Sequence, residues 1–308
     1  MLPRPIVPGA TYLITRRCAQ RQFLMLPSAK VNRVILFCLA RAAALYGIQI
    51  HAIWVLGNHF HIVLTDPLGL LSEFTGWANE HIARALNRHL GRVENFFDSS
   101  RGSYVRLFGS DDVLEKMVYT LSNPVAAGLV AKGNQWPGVR TGPEQLGETL
   151  EVERPDFYFR PDGPVPEKVD LELFVPPAFK ADGVRSFRRR LTEAVEAEEA
   201  GLRQRAREEG RRFKGARAVR QQSPFDSPST PRDFGKLNPR VACRDKERRK
   251  QVLAELREFW KSYKMALAGW FAGKRTVVFP AATYLMRRKH RVRCRPFSEA
   301  GAWAAPPA

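Results

Sequence analysis

The amino-acid sequence predicts an α+β fold in which helices pack on an antiparallel sheet, with a basic, mainly helical C-terminal extension. Three observations support this prediction. Short β-rich runs alternate with longer runs of helical periodicity in the first part of the chain. Hydrophobic residues make up 44% of the 308 residues, which is enough for a buried core. Lys and Arg, in contrast, are concentrated in the C-terminal part.

The predicted elements follow one another in a regular order. They are a strand at residues 11–15, a helix at 28–46, strands at 48–56 and 59–65, a helix at 70–90, a strand at 103–108 and a helix at 110–123. The break at Gly57 and Asn58 predicts a hairpin between the second and third strands. This order is that of a ferredoxin-like sandwich, with the helices packed on one face of the antiparallel sheet.

Capping and breaking residues mark the ends of these helices. Ser28 is a favourable N-cap for the first helix, and Gly47 supplies its end. Ser110 is expected to cap the third helix, because a serine oxygen can accept hydrogen bonds from the first turn. Pro124 is expected to end that helix near Asn123, because the residue before a proline is biased away from helical angles.

Changes in composition divide the chain into three predicted segments. Residues 1–140 form the α+β domain, and residues 141–183 form a Pro- and Gly-rich linker that packs on it. Residues 184–308 form a basic helical extension, with helices expected at residues 184–214 and 244–271. We find no internal repeat.

The positive charge is distributed unevenly along the chain. Residues 181–308 contain 31 of the 50 Lys and Arg residues but only 14 of the 31 acidic residues. They therefore carry +17 of the formal net charge of +19. Such a concentration predicts binding to a polyanion, above all nucleic acid, with a solvated tail as the alternative.

Other bulk features restrict where the protein acts. The four cysteines are scattered without a C-x-x-C pair, which argues against a disulfide scaffold or a zinc ribbon. No apolar run reaches the length of a membrane span, and the first residues do not resemble a secretory signal. We therefore expect a cytoplasmic protein that does not enter a membrane.

Four side chains form a candidate catalytic set. His59 and His61 are two residues apart on a predicted strand, so both point to the same face and could hold one divalent ion. A structural pair remains the alternative for a lone His-x-His. Tyr119 and Asn123 share a helix face, where the amide oxygen could be a third ligand. A phenol can attack phosphorus when a metal offsets the developing charge, and these neutral ligands suit Mg²⁺ or Mn²⁺.

These side chains lie in two distinctive segments. Residues 56–64 read Leu-Gly-Asn-His-Phe-His-Ile-Val-Leu, and residues 117–130 read Met-Val-Tyr-Thr-Leu-Ser-Asn-Pro-Val-Ala-Ala-Gly-Leu-Val. The first resembles the Asn-His-x-His strand, and the second the Tyr-x-x-x-Asn-Pro-Val-x-Ala-Gly-Leu-Val segment, of the IS200-like single-tyrosine transposases. The resemblance covers roughly residues 8–140. It is closest to the branch associated with repetitive extragenic palindromes, and the long C-terminal extension is a departure from the family.

The resemblance implies an HUH-type endonuclease fold and a reaction on DNA. His59, His61 and Asn123 would bind the metal, and Tyr119 would cut one strand of hairpin-bearing single-stranded DNA. The products would be a 5′-phosphotyrosine and a free 3′-OH, and attack by a 3′-OH would reverse the linkage. Relatives act as monomers or as homodimers, so both states stay open. The alternative function is that of a DNA-binding protein which keeps the fold but has lost catalytic activity. A third hypothesis, an RNA-binding protein, rests on charge alone.

Basic side chains are natural phosphate contacts, which add affinity without reading bases. The candidates are Arg16, Arg17, Arg21, Arg188, Arg189, Arg190, Arg211, Arg212, Lys214, Arg248, Arg249, Lys250, Arg287, Arg288, Lys289, Arg291, Arg293 and Arg295. Lys116 is expected to be a surface residue. We expect a structural role for His51, and packing or surface positions for His81 and His89.

Overall fold

The structure is a computed structural model that describes residues 3–99, 102–230 and 239–297. Short 3₁₀ turns join several of its helices and strands. The elements are β1 (Ala10–Arg17), α1 (Ala29–Tyr46), β2 (Gln49–Val55), β3 (His59–Asp66), α2 (Leu71–Leu90), β4 (Ser103–Leu107), α3 (Ser110–Ala126), β5 (Thr149–Glu153), β6 (Lys168–Glu172), α4 (Val184–Glu208), α5 (Ala216–Arg220), β7 (Val241–Ala242), α6 (Lys246–Phe271), β8 (Val278–Phe279), α7 (Leu285–His290) and β9 (Arg293–Cys294).

The central sheet has five strands in the order β2-β3-β1-β4-β7. The first four strands pair antiparallel, whereas β7 adds to the outer edge of β4 in parallel. The predicted α+β class with an antiparallel sheet and packed helices is therefore confirmed. The order of the four antiparallel strands is that of a ferredoxin-like sheet.

The helices cover both faces of the sheet, so the prediction of a single covered face was wrong. Helices α1 and α2 pack on the face that carries Ile62 and Leu64 of β3. Helices α3 and α4 pack on the opposite face, which carries Val63. Because successive strand residues point to opposite faces, a sheet covered on both sides needs apolar residues at odd and even positions. Strand β3 meets this need, since it is buried along almost its whole length.

Helices α1 and α2 begin at polar caps. The Ser28 hydroxyl accepts a hydrogen bond from the Val31 N–H at 3.2 Å, and Gly47 ends α1 in the left-handed conformation, as predicted. The Asp66 carboxylate, at the end of β3, accepts the N–H of Leu71 at 2.9 Å. This cap satisfies helix donors that would otherwise be buried without partners.

Helix α3 differs from its prediction at both ends. Its cap is Gly109 rather than Ser110, because the Asp112 carboxylate accepts the Gly109 N–H at 3.0 Å from within the first turn. The helix also continues for three residues past Asn123. Pro124 is tolerated there because it lies in the last turn, where its ring removes only one helical hydrogen bond.

Part of the predicted linker forms a hairpin. Strands β5 and β6 pair antiparallel, with Val152 opposite Val169, and both strands contact α1. After β6, Leu173 forms a bridge with Ile50 at the outer edge of β2. This part of the segment is therefore regular structure that contacts α1 and β2.

The basic extension contributes to the core on both faces of the sheet. Helix α4 supplies Phe187 and Leu191 beneath α3, and α6 supplies Val252 and Phe259 on the opposite face. The division of the chain into separate units stays a prediction, and residues 298–308 of the extension lie outside the described ranges. None of the helices within those ranges combines the length and apolar character needed to cross a membrane.

Candidate active site

Strand β3 presents two histidines on the face that α3 covers. His59 and His61 are two residues apart, so the pleat points both imidazoles to that face. Their ring centroids are 4.9 Å apart and the rings are nearly perpendicular. His61 is buried, whereas His59 is half-buried at the strand end. The pair therefore lies between the sheet and solvent, where a ligand can reach it.

Helix α3 places Tyr119 against this pair. The Tyr119 ring centroid lies 5.3 Å from that of His61, in an edge arrangement. The helix is held on the sheet by buried Val113, Met117 and Leu121, which fixes its rotation. Tyr119 itself is 44% exposed. Its phenol is therefore accessible to a substrate while its ring packs on the buried histidine.

A hydrogen bond orients the His59 ring. Its Nδ1 lies 2.7 Å from Oδ1 of Asn58. The amide nitrogen of Asn58 donates to the Arg21 carbonyl at 3.2 Å, which identifies the other amide atom as the acceptor oxygen. His59 Nδ1 is therefore the donor, and its Nε2 keeps a lone pair that can bind a metal.

His61 has a corresponding partner on β1. Its Nδ1 lies 2.8 Å from the Thr15 hydroxyl, which stands opposite it in the sheet register. Its Nε2 is buried and has no hydrogen-bond partner within the described residues. A buried polar atom without a partner is costly, and a metal ion would satisfy it. The residues present therefore fit a metal held by the two imidazoles.

Burial keeps both imidazoles neutral. It lowers the pKa of His59 to about 4, and the positive charge of Arg17 adds to this effect. It also lowers the pKa of His61 well below the ordinary value, with His59 and Arg17 as lesser causes. Neutral imidazoles can bind a metal without first losing a proton near neutral pH.

A third ligand would have to be a neutral oxygen from the protein or water. Among the residues that the structure describes, no group of three His, Cys, Asp or Glu side chains could hold a metal. Asn123 is buried on α3, one turn beyond Tyr119. No hydrogen bond joins its amide to either histidine within the described ranges. Its assignment as a ligand therefore stays a prediction.

Two cavities flank the His–Tyr cluster. The first, which we call the β7 groove, is lined by Tyr119 and Lys116 on one side and by Arg244 and Arg249 on the other. The second, which we call the His59 pocket, opens beside the outer histidine. Its polar and charged lining residues are Arg17, Arg21, Asn58, His59, Gln222 and Thr230. The C-terminal extension supplies part of the wall of each cavity.

The three arginines predicted near the site have different surroundings. Arg17 stands opposite His59 in the register between β1 and β3. The Arg21 guanidinium donates to the carbonyl and to the hydroxyl of Thr230, both at 2.7 Å, at the rim of the His59 pocket. Arg16 points to the other face of the sheet, where its guanidinium lies over an aromatic ring. Of the three, only Arg17 and Arg21 therefore line the pocket beside His59.

Of the basic candidates in the extension, Arg249 lines the β7 groove and the others line neither cavity. Five of the others form ion pairs with residues that the structure describes: Arg188 with Glu148, Arg190 with Asp182, Arg211 with Glu209, Lys250 with Glu247 and Arg288 with Glu73. The rest are Arg189, Arg212, Lys214, Arg248, Arg287, Lys289, Arg291, Arg293 and Arg295. Their contact with DNA stays a prediction.

The remaining histidines of the first domain have structural surroundings. His51 uses both ring nitrogens, with the Phe174 carbonyl and the Thr65 hydroxyl each at 2.8 Å. His81 lies 3.1 Å from the Tyr158 hydroxyl and packs among aromatic rings. His51 therefore has no free nitrogen for a metal, in agreement with the structural role expected for it.

Four residues of the site were not assigned a role from the sequence. Asn58 is adjacent to His59, so the motif itself offered a signal. Thr15 can be found only from the register that places it opposite a histidine. Lys116 was expected at the surface, yet its ammonium lies 6.0 Å from the Tyr119 ring centroid. Arg244 enters from a distant part of the chain, which no local pattern indicates.

Comparison with known proteins gives distant similarities. No protein-family model matches the chain, and no curated protein matches it in sequence. A solved REP-associated tyrosine transposase bound to a REP hairpin is 19% identical, over 47% of this chain and 84% of its own, with a TM-score of 0.39. A proposed transposase from Deinococcus radiodurans R1 is 17% identical, over 37% of this chain and 88% of its own, with a TM-score of 0.27. Neither likeness decides what this chain does.

Proposed function

We propose that this chain is a metal-dependent endonuclease and strand transferase for single-stranded DNA, a transposase with Tyr119 as its nucleophile. One observation carries the proposal. An accessible phenol packs on His61, whose buried Nε2 has no hydrogen-bond partner within the described residues. A nucleophile beside a pair of neutral metal ligands is the arrangement that phosphoryl transfer needs.

The His pair would hold Mg²⁺ or Mn²⁺, with Asn123 as a candidate third ligand. A bound ion would polarise a phosphoryl oxygen and offset the negative charge that develops there. Thr15 and Asn58 keep the two rings oriented, so that both can present Nε2 to the same ion. The Asn58 oxygen, which accepts from Nδ1 of His59, also favours the neutral His59 tautomer that can bind the ion.

Tyr119 would attack the phosphorus of the bound strand. The new bond joins the phenolic oxygen to phosphorus, and the bond to the 3′ oxygen breaks. The leaving oxygen takes up a proton and becomes a free 3′-OH, while the phenol proton passes to solvent. The Lys116 ammonium, 6.0 Å from the Tyr119 ring centroid, would stabilise the developing phenolate. Arg17, beside His59, would help to hold the phosphate.

The resulting 5′-phosphotyrosine conserves the energy of the broken bond. A 3′-OH can therefore attack it, release Tyr119 and join two strands without ATP. Hairpin-bearing DNA is the proposed substrate, following the resemblance of the two motifs. Both a monomer and a homodimer stay open as the acting state.

A covalent-adduct experiment tests the proposal. The purified chain is incubated with labelled single-stranded hairpin DNA and Mn²⁺, and the products are separated on a denaturing gel. We expect an adduct that disappears with EDTA or with Tyr119→Phe. The control Tyr158→Phe removes the hydroxyl of a tyrosine that contacts His81, away from the site, and should keep the adduct.

Two results would contradict the proposal in different ways. An adduct that survives Tyr119→Phe would rule out this residue as the nucleophile. No adduct with any of a diverse set of hairpins, despite tight DNA binding, would favour the DNA-binding protein without turnover.

A further inference from the structure

The His59 pocket has the chemical character of a nucleotide site. Its volume is about 390 Å³, within the range of roughly 300–1,000 Å³ that is usual for small-molecule sites. Its lining is basic and contains no acidic residue within the described ranges. Its apolar wall consists of Phe23, Leu26, Leu56, Ala127, Leu129, Trp136, Val219 and Pro228. Apolar walls with a basic rim suit a flat base that is joined to a phosphate.

The pocket lies next to the proposed reaction centre. His59 forms part of its wall, and the His59 ring centroid is 4.9 Å from that of His61. The Tyr119 ring centroid lies 5.3 Å from that of His61. A phosphate held between the histidines and Tyr119 would therefore direct a neighbouring base toward this pocket.

Within the described residues, Gln222 is a neutral polar residue of the rim that is available to a ligand. The Asn58 amide is engaged by His59 and by the Arg21 carbonyl, and the Thr230 hydroxyl is engaged by Arg21. Gln222 is half-buried, and its side-chain amide makes no hydrogen bond within the described residues. A carboxamide both donates and accepts, so it can pair with the edge of an unpaired base.

Hydrogen bonds between segments that are distant in sequence stabilise the rim of the pocket. The Phe23 N–H donates to the Asp226 carbonyl, and the Gln22 amide donates to the Phe225 carbonyl, both at 3.0 Å. The Ser227 hydroxyl donates to the Gln20 carbonyl at 2.8 Å. These bonds hold part of the extension against the chain that follows β1. The pocket is therefore built before a ligand arrives, which lowers the entropic cost of binding.

We propose that the His59 pocket binds one unpaired nucleobase of the DNA strand, next to the phosphate that is presented to Tyr119. This inference rests on the proposed function for the position of that phosphate. The base stacks on the apolar wall, Gln222 contacts its edge, and Arg17 and Arg21 attract the backbone. The extension thus takes part in holding the strand at the point where it is cut.

A binding experiment on the full chain tests the pocket without cleavage. Tyr119→Phe removes the covalent step, and fluorescence anisotropy measures the affinity for a labelled oligothymidylate of about 12 nucleotides, within the site sizes of single-strand binders. A second oligomer of equal length and charge carries abasic residues. Gln222→Trp fills the pocket from its rim. The matched control is Gln221→Trp, because Gln221 is the exposed neighbour outside the lining.

We expect the Tyr119→Phe protein to bind the base-bearing oligomer about tenfold more tightly than the abasic one. Adding Gln222→Trp should remove most of this preference, whereas adding Gln221→Trp should keep it. Equal preferences in the two tryptophan variants, or no preference in the parent, would overturn the proposal. The adduct assay on the unsubstituted chain tests the proposed function independently of this binding measurement. A base preference without an adduct would contradict the proposed function alone, and an adduct without a preference would contradict the pocket alone.

Discussion

The backbone N–H of Arg244 donates to Oδ1 of Asp112 at 2.8 Å. This bond joins the basic extension to the first turn of the helix that carries Tyr119. The Arg244 guanidinium also donates to the Glu115 carboxylate at 2.9 Å, and the Lys116 ammonium donates to the same carboxylate at 2.5 Å. The extension therefore helps to set the position of the nucleophile helix as well as lining the site.

Asp112→Ala should destabilise the protein by about 2 kcal/mol, because the buried carboxylate accepts hydrogen bonds from Gly109 and Arg244. Urea unfolding measures the change. Asp111→Ala is the matched control, since Asp111 is exposed in the same turn and should cost less than about 1 kcal/mol. Equal losses in the two variants would show that these hydrogen bonds add nothing beyond the helix dipole.

Thr15→Val should weaken metal binding by about 10- to 100-fold, because it removes the partner of His61 Nδ1 while keeping the side-chain shape. The Mn²⁺ concentration for half-maximal adduct formation reports this affinity. Thr11→Val is the control, because Thr11 lies on the same strand and bonds Thr65 instead. The orienting role of Thr15 is wrong if both variants need the same Mn²⁺ concentration.

Asn123→Ala should lower Mn²⁺ affinity by at least about tenfold if the amide oxygen is the third ligand. Calorimetric titration of Mn²⁺ into the metal-free protein measures this without DNA. Ser122→Ala provides the comparison, since Ser122 is buried at the adjacent position and only donates to a helix carbonyl. An unchanged affinity in Asn123→Ala would leave water as the third ligand.

Stability should fall as the pH drops from about 6.5 toward 4, partly because of His51. Burial lowers the pKa of His51 to about 4, despite the opposing hydrogen bond to the Phe174 carbonyl. The unfolded chain, with a pKa of about 6.5, therefore binds this proton at a higher pH than the folded chain. Above a pH of about 6.5, neutral His51 makes its full contribution to the free energy of unfolding. About 3 kcal/mol of this contribution is lost as the pH falls from about 6.5 to about 4.

Urea unfolding of metal-free protein across this pH range measures the effect. His51→Gln cannot titrate and should show a shallower dependence on pH. His59 and His61 contribute equally to both proteins, so the difference between the two curves belongs to His51. Parallel curves would mean that the His51 pKa is not shifted by folding.

The sequence was most informative where a local pattern determines structure. The alternation in β3 placed His59 and His61 on one face, and helical spacing placed Tyr119 and Asn123 on one helix. The sequence alone did not reveal that α3 covers the opposite face from α1. The signal was present, since β3 carries apolar residues at both odd and even positions, as a doubly covered strand requires.

Other features depend on contacts between distant residues. Strand β7 has two residues and is defined by its pairing with the outer edge of β4. The β5–β6 hairpin alternates Leu and Val with charged residues. Each strand has only five residues, so this alternation is difficult to recognise in a segment rich in Pro and Gly. The Lys116 environment likewise depends on Arg244, which is brought there by the same edge. Such long-range contacts produce no periodic pattern in the sequence from which they could be predicted.

Strand β7 has a consequence for self-association. The outer edge of β4 would otherwise expose unpaired backbone groups, which can template pairing with another chain. Val241 and Ala242 occupy that edge, and the Arg106 N–H donates to the Arg240 carbonyl at 3.0 Å. The two bridges at Ile50 and Trp54 cover part of the opposite edge. The segment that lines the groove at Tyr119 thus also covers the end of the β4 edge, where a strand of another chain could otherwise pair.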